Sequence, residues 1–289
     1  MDNPLFRFEV RRVRWLASPE PLWGYSLGIL AVVGILIFVG WLLICLNTLG
    51  SLGSRYFLER SRELIALLFL GSVGANIFLD LACMWGTLNS MDVRSNPMWW
   101  DLLRVSTMHP AEIIHAKHVR AQVRAWWLMM IVLSARISVV LLVVLQIFFL
   151  DPMMQSYSNL SEIIWLLPFA LVFGATYIAE TYWRMRAMTA LGLWISARSA
   201  NIAMAGLAGF GAIVVIWVSQ AVIIGILGFL TVQCSFSVSV VGLSGSIPII
   251  STGCYLFLAC CVTAFIIYHY YRNLLRTSLN RALRNTFRD

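Results

Sequence analysis

Residues 23–46 read WGYSLGILAVVGILIFVGWLLICL, a run without one charged side chain. A helix needs about 20 mostly apolar residues to cross the roughly 30 Å hydrocarbon core of a bilayer. This run meets that length and has nothing polar enough to hold it in water. Five more runs follow outward from it. Leu64–Leu88 is interrupted by Asp80, and Trp126–Leu150 by Arg136. A fourth begins near Ile163, passes Glu180 and ends anywhere from Trp183 to Ile195. The last two are about Ala203–Val232 and Ile247–Tyr271. The spacing predicts an all-α polytopic membrane protein with six transmembrane helices.

Composition agrees. Of 289 residues, 60% are apolar and only 12% charged, about half the share usual in soluble domains. A soluble fold of this size could not hide that much apolar surface. A secreted disulfide scaffold, a disordered chain and a cytosolic enzyme are all excluded. Residues 1–22 are charged, and no short apolar region with a small-residue cleavage site follows, so no signal peptide is expected. Five of the six cysteines fall in or near spans and read as small apolar fillers.

The chain has 21 basic residues, of which Lys117 is the single lysine. With both termini cytoplasmic, 17 of the 21 fall inside, including Arg184, Arg186 and Arg198 after span four. Only Arg55, Arg60 and Arg62 fall outside, and Arg136 lies within a span. That asymmetry sets the orientation. The formal charge of +8 is then accounted for by the membrane, and no nucleic-acid partner is expected.

Three polar segments stand out. Residues 4–16 form a basic amphipathic stretch, read as an interfacial helix or a plain positive anchor, with Arg7, Arg11 and Arg12 at the lipid surface. The tail, residues 272–289, carries a helical stripe of Leu275, Leu279, Ala282 and Leu283, with Arg276, Arg281 and Arg284 expected on anionic headgroups. The longest cytoplasmic loop, 89–125, contains two helix starts. Asn96-Pro97 begins one, carrying Trp99, Trp100, Leu102 and Leu103; Pro110 begins another, with Glu112 in its first turn, running through Lys117 into span three.

The segment Asp101–Lys117 resembles the cytoplasmic loop of ABC-2 type transporter permeases. Asp101, Leu102, Leu103, Pro110, Glu112, Ile113 and Lys117 match that pattern. Ser106-Thr107 stands in place of Thr-Pro, and Ala116 in place of the glycine before the lysine. The stretch from Asn3-Pro4 through Glu9 resembles the family's N-terminal interface helix. Ala190-Leu191-Gly192-Leu193, Ser196-Ala197-Arg198 and Ala203 resemble the join between spans four and five.

The resemblance implies an exporter's membrane subunit, one permease domain in the plasma membrane. It implies pairing with a second permease subunit and docking of a separate ATPase that brings ATP and magnesium. The coupling surface would comprise Trp99, Trp100, Asp101, Leu102, Leu103, Pro110, Glu112 and Lys117. Residues 233–248, uncharged and rich in Ser and Gly, would form an outer re-entrant segment or an ordinary outer loop.

This chain cannot supply the usual ATP site itself. A P-loop needs a lysine after a glycine-rich turn, and Lys117 follows Ala116 on an expected helix. Neither an enzyme constellation nor a metal site is read: His109, His115 and His118 cluster, but without zinc-ligand spacing. Asp80 and Arg136 lie at similar depth and are expected to face the interior and pair, either lining a conduit or fixing helix packing. Glu180 is expected to snorkel or to pair with Arg184 or Arg186. Two other functions stay open: a secondary transporter using Asp80, Arg136 and Glu180, and a non-transporting structural subunit of a larger membrane complex.

Overall fold

A computed structural model describes residues 22–52, 54–88, 109–146, 160–199, 201–240 and 247–287. Among them the chain forms six helices and no strand. They are α1 Leu22–Leu52, α2 Ser54–Thr87, α3 Pro110–Leu145, α4 Leu160–Arg198, α5 Ile202–Val240 and α6 Ile247–Phe287. Four of them contain stretches long and apolar enough to cross a membrane: Gly24–Gly50, Tyr56–Thr87, Pro110–Leu145 and Ile202–Ile223. They mark the chain as a membrane-embedded, multi-pass protein.

The helices outrun the bilayer. With 36 residues α3 is about 54 Å long at 1.5 Å per residue, and with 41 residues α6 is about 61 Å. A hydrocarbon core takes up only about 30 Å of each. Helix α3 begins, and α2, α4 and α6 finish, at one end of the bundle, called here the lower end.

Three boundaries differ from the sequence reading. First, α2 starts at Ser54, so the Arg55–Glu63 segment is helical and not a loop. Its Arg60–Glu63 pair, 2.9 Å apart at i,i+3, supports that turn. Second, residues 233–240 of the expected outer segment continue α5, because no proline or glycine breaks the chain before Gly242. Third, the tail is no separate surface helix. It is the last third of α6, and its apolar stripe is spent inside the protein. Ala282, Leu279 and Leu283 pack against Ile113, Ile114 and Ala116 of α3 and Leu193 of α4. Burial against two other helices replaces burial of the stripe against headgroups.

The α3 start agrees with the reading. His109 is the N-cap, with its ring accepting from the Ala111 N–H; Pro110 opens the helix and Glu112 sits in the first turn. The calls at Arg7, Arg11, Arg12, Trp99, Trp100, Asp101, Leu102 and Leu103 lie outside the described residues.

Packing forms three layers. The upper layer joins Trp41 and Cys45 of α1 to Ile65 of α2 and Leu142 of α3. The middle layer is rich in methionine, with Met84, Met129, Met185 and Met188 around Leu79 and Ile216. Such unbranched side chains fill irregular gaps between crossing helices. The lower layer is the α3–α4–α6 contact just described. Cys45 and Cys83 are fully buried within these layers and behave as small apolar side chains.

Small residues set the close approaches. Gly34 of α1 faces Ser134 and Ser138 of α3, and Ser134 donates to the Leu30 carbonyl at 2.8 Å. A Cβ on Gly192 of α4 would collide with the Thr87 hydroxyl of α2 and lie 3.2 Å from the Met84 sulfur. Beside that crossing, Ser196 donates to the Leu88 carbonyl at 2.8 Å, satisfying an acceptor that the end of α2 leaves open.

Candidate functional site

Four charged side chains meet in the interior. Asp80 comes from α2, Arg136 from α3, and Glu180 and Arg184 from α4. Arg184 is 1% exposed and Asp80 0%. The local sequence explains α4's share. Tyr177, Glu180 and Arg184 fall at i, i+3 and i+7, one stripe of a helix. That stripe points at α2, α3 and α6 together.

The guanidinium of Arg184 grips Asp80 with two edges. Its Nε donates to Oδ1 at 2.8 Å, and its Nη2 to Oδ2 at 2.5 Å. The planar fork of arginine matches a carboxylate in this way, as a lysine could not. The remaining Nη1 reaches Glu180 Oε1 at 3.3 Å and Gln220 Oε1 of α5 at 2.7 Å. Trp217, also of α5, donates from Nε1 to Asp80 Oδ2 at 3.0 Å and lies with its ring 4.7 Å from the Arg184 Cζ.

Glu180 bridges the two arginines. Its Oε2 lies 2.6 Å from Arg136 Nη1, and its Oε1 accepts from the Tyr271 hydroxyl of α6 at 2.7 Å. Gln220 donates to that same hydroxyl. Arg136 also donates to the Tyr177 carbonyl and stands 4.5 Å above the Tyr177 ring. Tyr177 in turn shares a hydrogen bond with Ser72 of α2 and stacks on Phe69 at 5.3 Å.

The expected Asp80–Arg136 pair is therefore corrected. Both side chains face the interior, as their depth required, but each takes another partner. Asp80 holds Arg184, Arg136 holds Glu180, and Glu180 links the halves. Arg184 also leaves the group of basic residues assigned to the cytoplasmic surface, because it lies inside the bundle. The reason is helix length: α4 continues to Arg198, so Arg184 falls about a third of its length from the end rather than beyond it. Glu180 does not snorkel; it is buried with two arginines, and Arg186 instead lies 5.5 Å over the Tyr182 ring.

Two carboxylates against two guanidiniums leave no net charge. Isolated, each would cost at least about 2.5–3.5 kcal/mol at the bilayer centre. Paired and hydrogen-bonded, they tie five of the six helices at one level, leaving only α1 out. Sequence reasoning passed over Gln220, Trp217 and Tyr271. A signal existed for Gln220, the lone amide in an otherwise uncharged span.

The other candidate residues separate. His118 is buried, with Nε2 3.0 Å from the Arg186 carbonyl and 3.1 Å from Thr189 Oγ1, which ties α3 to α4. His109 caps α3, and His115 is exposed, so the three histidines serve three different surroundings. Pro110 and Glu112 lie at the lower tip of α3, Glu112 exposed; Lys117 is buried two turns further on. Arg276, Arg281 and Arg284 are exposed on the lower part of α6. No family model, curated protein or solved structure matches the chain, and the charge cluster stands on its own geometry.

Proposed function

We propose that the chain is the membrane subunit of an ATP-driven exporter of the ABC-2 permease type. It has six spans and cytoplasmic termini in the plasma membrane, and works as one of two permease subunits. A separate ATPase supplies ATP and magnesium. The observation that carries this reading is the continuity of α3. One unbroken helix begins at Pro110, where the resemblance puts the coupling loop, and carries Arg136 into the charge cluster. The two points lie 26 residues apart, about 39 Å of rigid rod.

A push on the loop would then move Arg136 against Glu180. Because Glu180 also holds Arg184, which holds Asp80, the motion reaches α2, α4, α5 and α6 together. Coupling by such a discrete, two-partner element is how small displacements become global ones. The lower layer of α3, α4 and α6 supplies the platform from which the ATPase would act.

A secondary transporter fits less well. Both carboxylates are held by arginines in the interior, Asp80 by Arg184 and Glu180 by Arg136, so neither stands open to a coupling ion. A non-transporting structural subunit is favoured by one observation, the pairing of every charge in the cluster with an opposite one, which suits a permanent brace. Purification from membranes with native partners separates the two. The exporter reading expects a chain with a Walker A motif to copurify, and to be lost on L102D/L103D. Retention of other membrane partners with no ATPase would instead establish the structural subunit.

A further inference from the structure

Helices α2 and α4 run parallel and keep one register along their contact. Ser72 shares a hydrogen bond with Tyr177, Asp80 holds Arg184, and Thr87 meets Gly192. These partners lie 105, 104 and 105 positions apart in the chain. Asn76 is four residues from Ser72 and four from Asp80, so its level on α4 is that of Glu180 and Thr181.

Helical rotation agrees with the register. Eleven residues make about three turns of a helix, which returns a side chain to the same face. Asn76 is eleven residues from Ile65, which packs with Leu142 of α3. It also stands on the stripe of Ser72 and Asp80, which reaches α4. Asn76 therefore faces the seam between α3 and α4. Thr181 is eleven residues from Gly192, where α4 comes closest to α2. Arg136 enters the same level from α3, donating to the Tyr177 carbonyl and pairing with Glu180.

Three polar atoms on these side chains are buried and have no hydrogen-bond partner among the described residues: Asn76 Oδ1, Thr181 Oγ1 and Arg136 Nε. The residues are 1%, 0% and 2% exposed. An unmet polar atom in the interior is costly, and three at one level are more than chance placement explains. Their chemistry is complementary. Arg136 Nε only donates, Asn76 Oδ1 only accepts, and the Thr181 hydroxyl does either. An ion does not suit the group, because the cluster is already neutral. A cation would sit against the Arg136 guanidinium, and an anion against Glu180.

We propose that α2, α3 and α4 enclose a binding site for one structural water, formed by Asn76, Arg136 and Thr181. The water accepts from Arg136 Nε and donates to Asn76 Oδ1 and Thr181 Oγ1. Three such bonds are typical of a buried water. The ion pairs of the cluster run from α2 to α4 and from α3 to α4. The water closes the triangle, tying α3 to α2 at that level. The site rests on the packing of the three helices and not on the exporter reading.

A high-resolution crystal structure of the full chain should show an ordered water within hydrogen-bonding distance of all three atoms. Thermal unfolding in detergent adds a sign. Valine has the shape of threonine without the hydroxyl. Thr181→Val should lower the unfolding midpoint by about 2–4 °C, because a bonded hydroxyl is lost. Were the hydroxyl unmet, the same change would raise the midpoint by removing a costly group. Asn76→Leu should expel the water, and in that background Thr181→Val should no longer lower the midpoint. A midpoint raised by Thr181→Val alone overturns the proposal. So does additivity of the two changes. The wild-type crystal structure decides without any variant: an ion at the site, a direct Asn76–Thr181 bond or an empty seam each overturns it.

Discussion

Helices α1 and α4 are both long and unbroken, yet they are held in opposite ways. Helix α1 has no charge, and its side chains lie mostly against lipid; Leu36 is 66% exposed. Its ties to the bundle are the packing of Trp41 and Cys45 in the upper layer and a few small-residue and hydroxyl contacts, such as Trp126 Nε1 to Ser26 at 2.8 Å and Ser134 to the Leu30 carbonyl. Helix α4 carries Glu180 and Arg184 and is buried nearly all round from Arg184 to Ser196. Lipid is as apolar as leucine, so apolar surface alone does not decide which helices meet. Small residues bring α1 close. Charges give α4 its only acceptable address.

Removing one member of the buried cluster should break that contrast most. Arg184→Ala leaves Asp80 without its main partner and Glu180 without its second arginine, and a loss of about 3–5 kcal/mol is expected. Thermal unfolding in detergent, followed by near-ultraviolet circular dichroism, reads it. Exchange variants sharpen the result. Asp80→Arg with Arg184→Asp should recover part of the loss, while Asp80→Arg with Arg136→Asp should recover none. Rescue by the second exchange would contradict the partner assignment.

Next in size is the α2–α4 crossing. Gly192→Val drives its side chain into Thr87 and should destabilise by about 1–3 kcal/mol. The readout is the yield of monodisperse protein by size exclusion. Tyr271→Phe removes the hydroxyl that Glu180 accepts from, and should cost about 1–2 kcal/mol by the same unfolding assay. At the α1–α3 contact, Ser134→Ala should cost only about 0.6 kcal/mol, typical of a hydrogen bond between membrane helices. Leu36→Ala, facing lipid, should be smallest of all. If it matched Tyr271→Phe, α1 would have a protein partner on its outer face.

The contrast also marks what could be read from sequence. The run at 23–46 announced α1 because nothing in it competes with the apolar signal. Asp80 and Arg136 announced an interior site, since no charge survives at that depth facing lipid. Their partners were not legible for a physical reason. Pairing depends on which faces of α2, α3 and α4 meet, and equal depth alone does not settle that. Arg184 was misplaced because an arginine after an apolar run looks the same whether the helix stops or continues. The tail erred in a similar way: a stripe at Leu279, Ala282 and Leu283 fits a headgroup surface or a neighbouring helix equally well. The helix start at Pro110 was legible, because proline is pre-organised for the first helical position from local geometry alone, while the cap by His109 was not read.

The neutrality of the cluster has a consequence for how the protein answers to voltage. Moving one elementary charge across 100 mV takes about 2.3 kcal/mol, and arginine-bearing helices act as voltage sensors for that reason. Here every guanidinium carries its carboxylate along: Arg184 with Asp80, Arg136 with Glu180. Each half of the cluster is a dipole and not a monopole. The helices can slide past one another with almost no electrical work, so the membrane potential neither drives nor locks them.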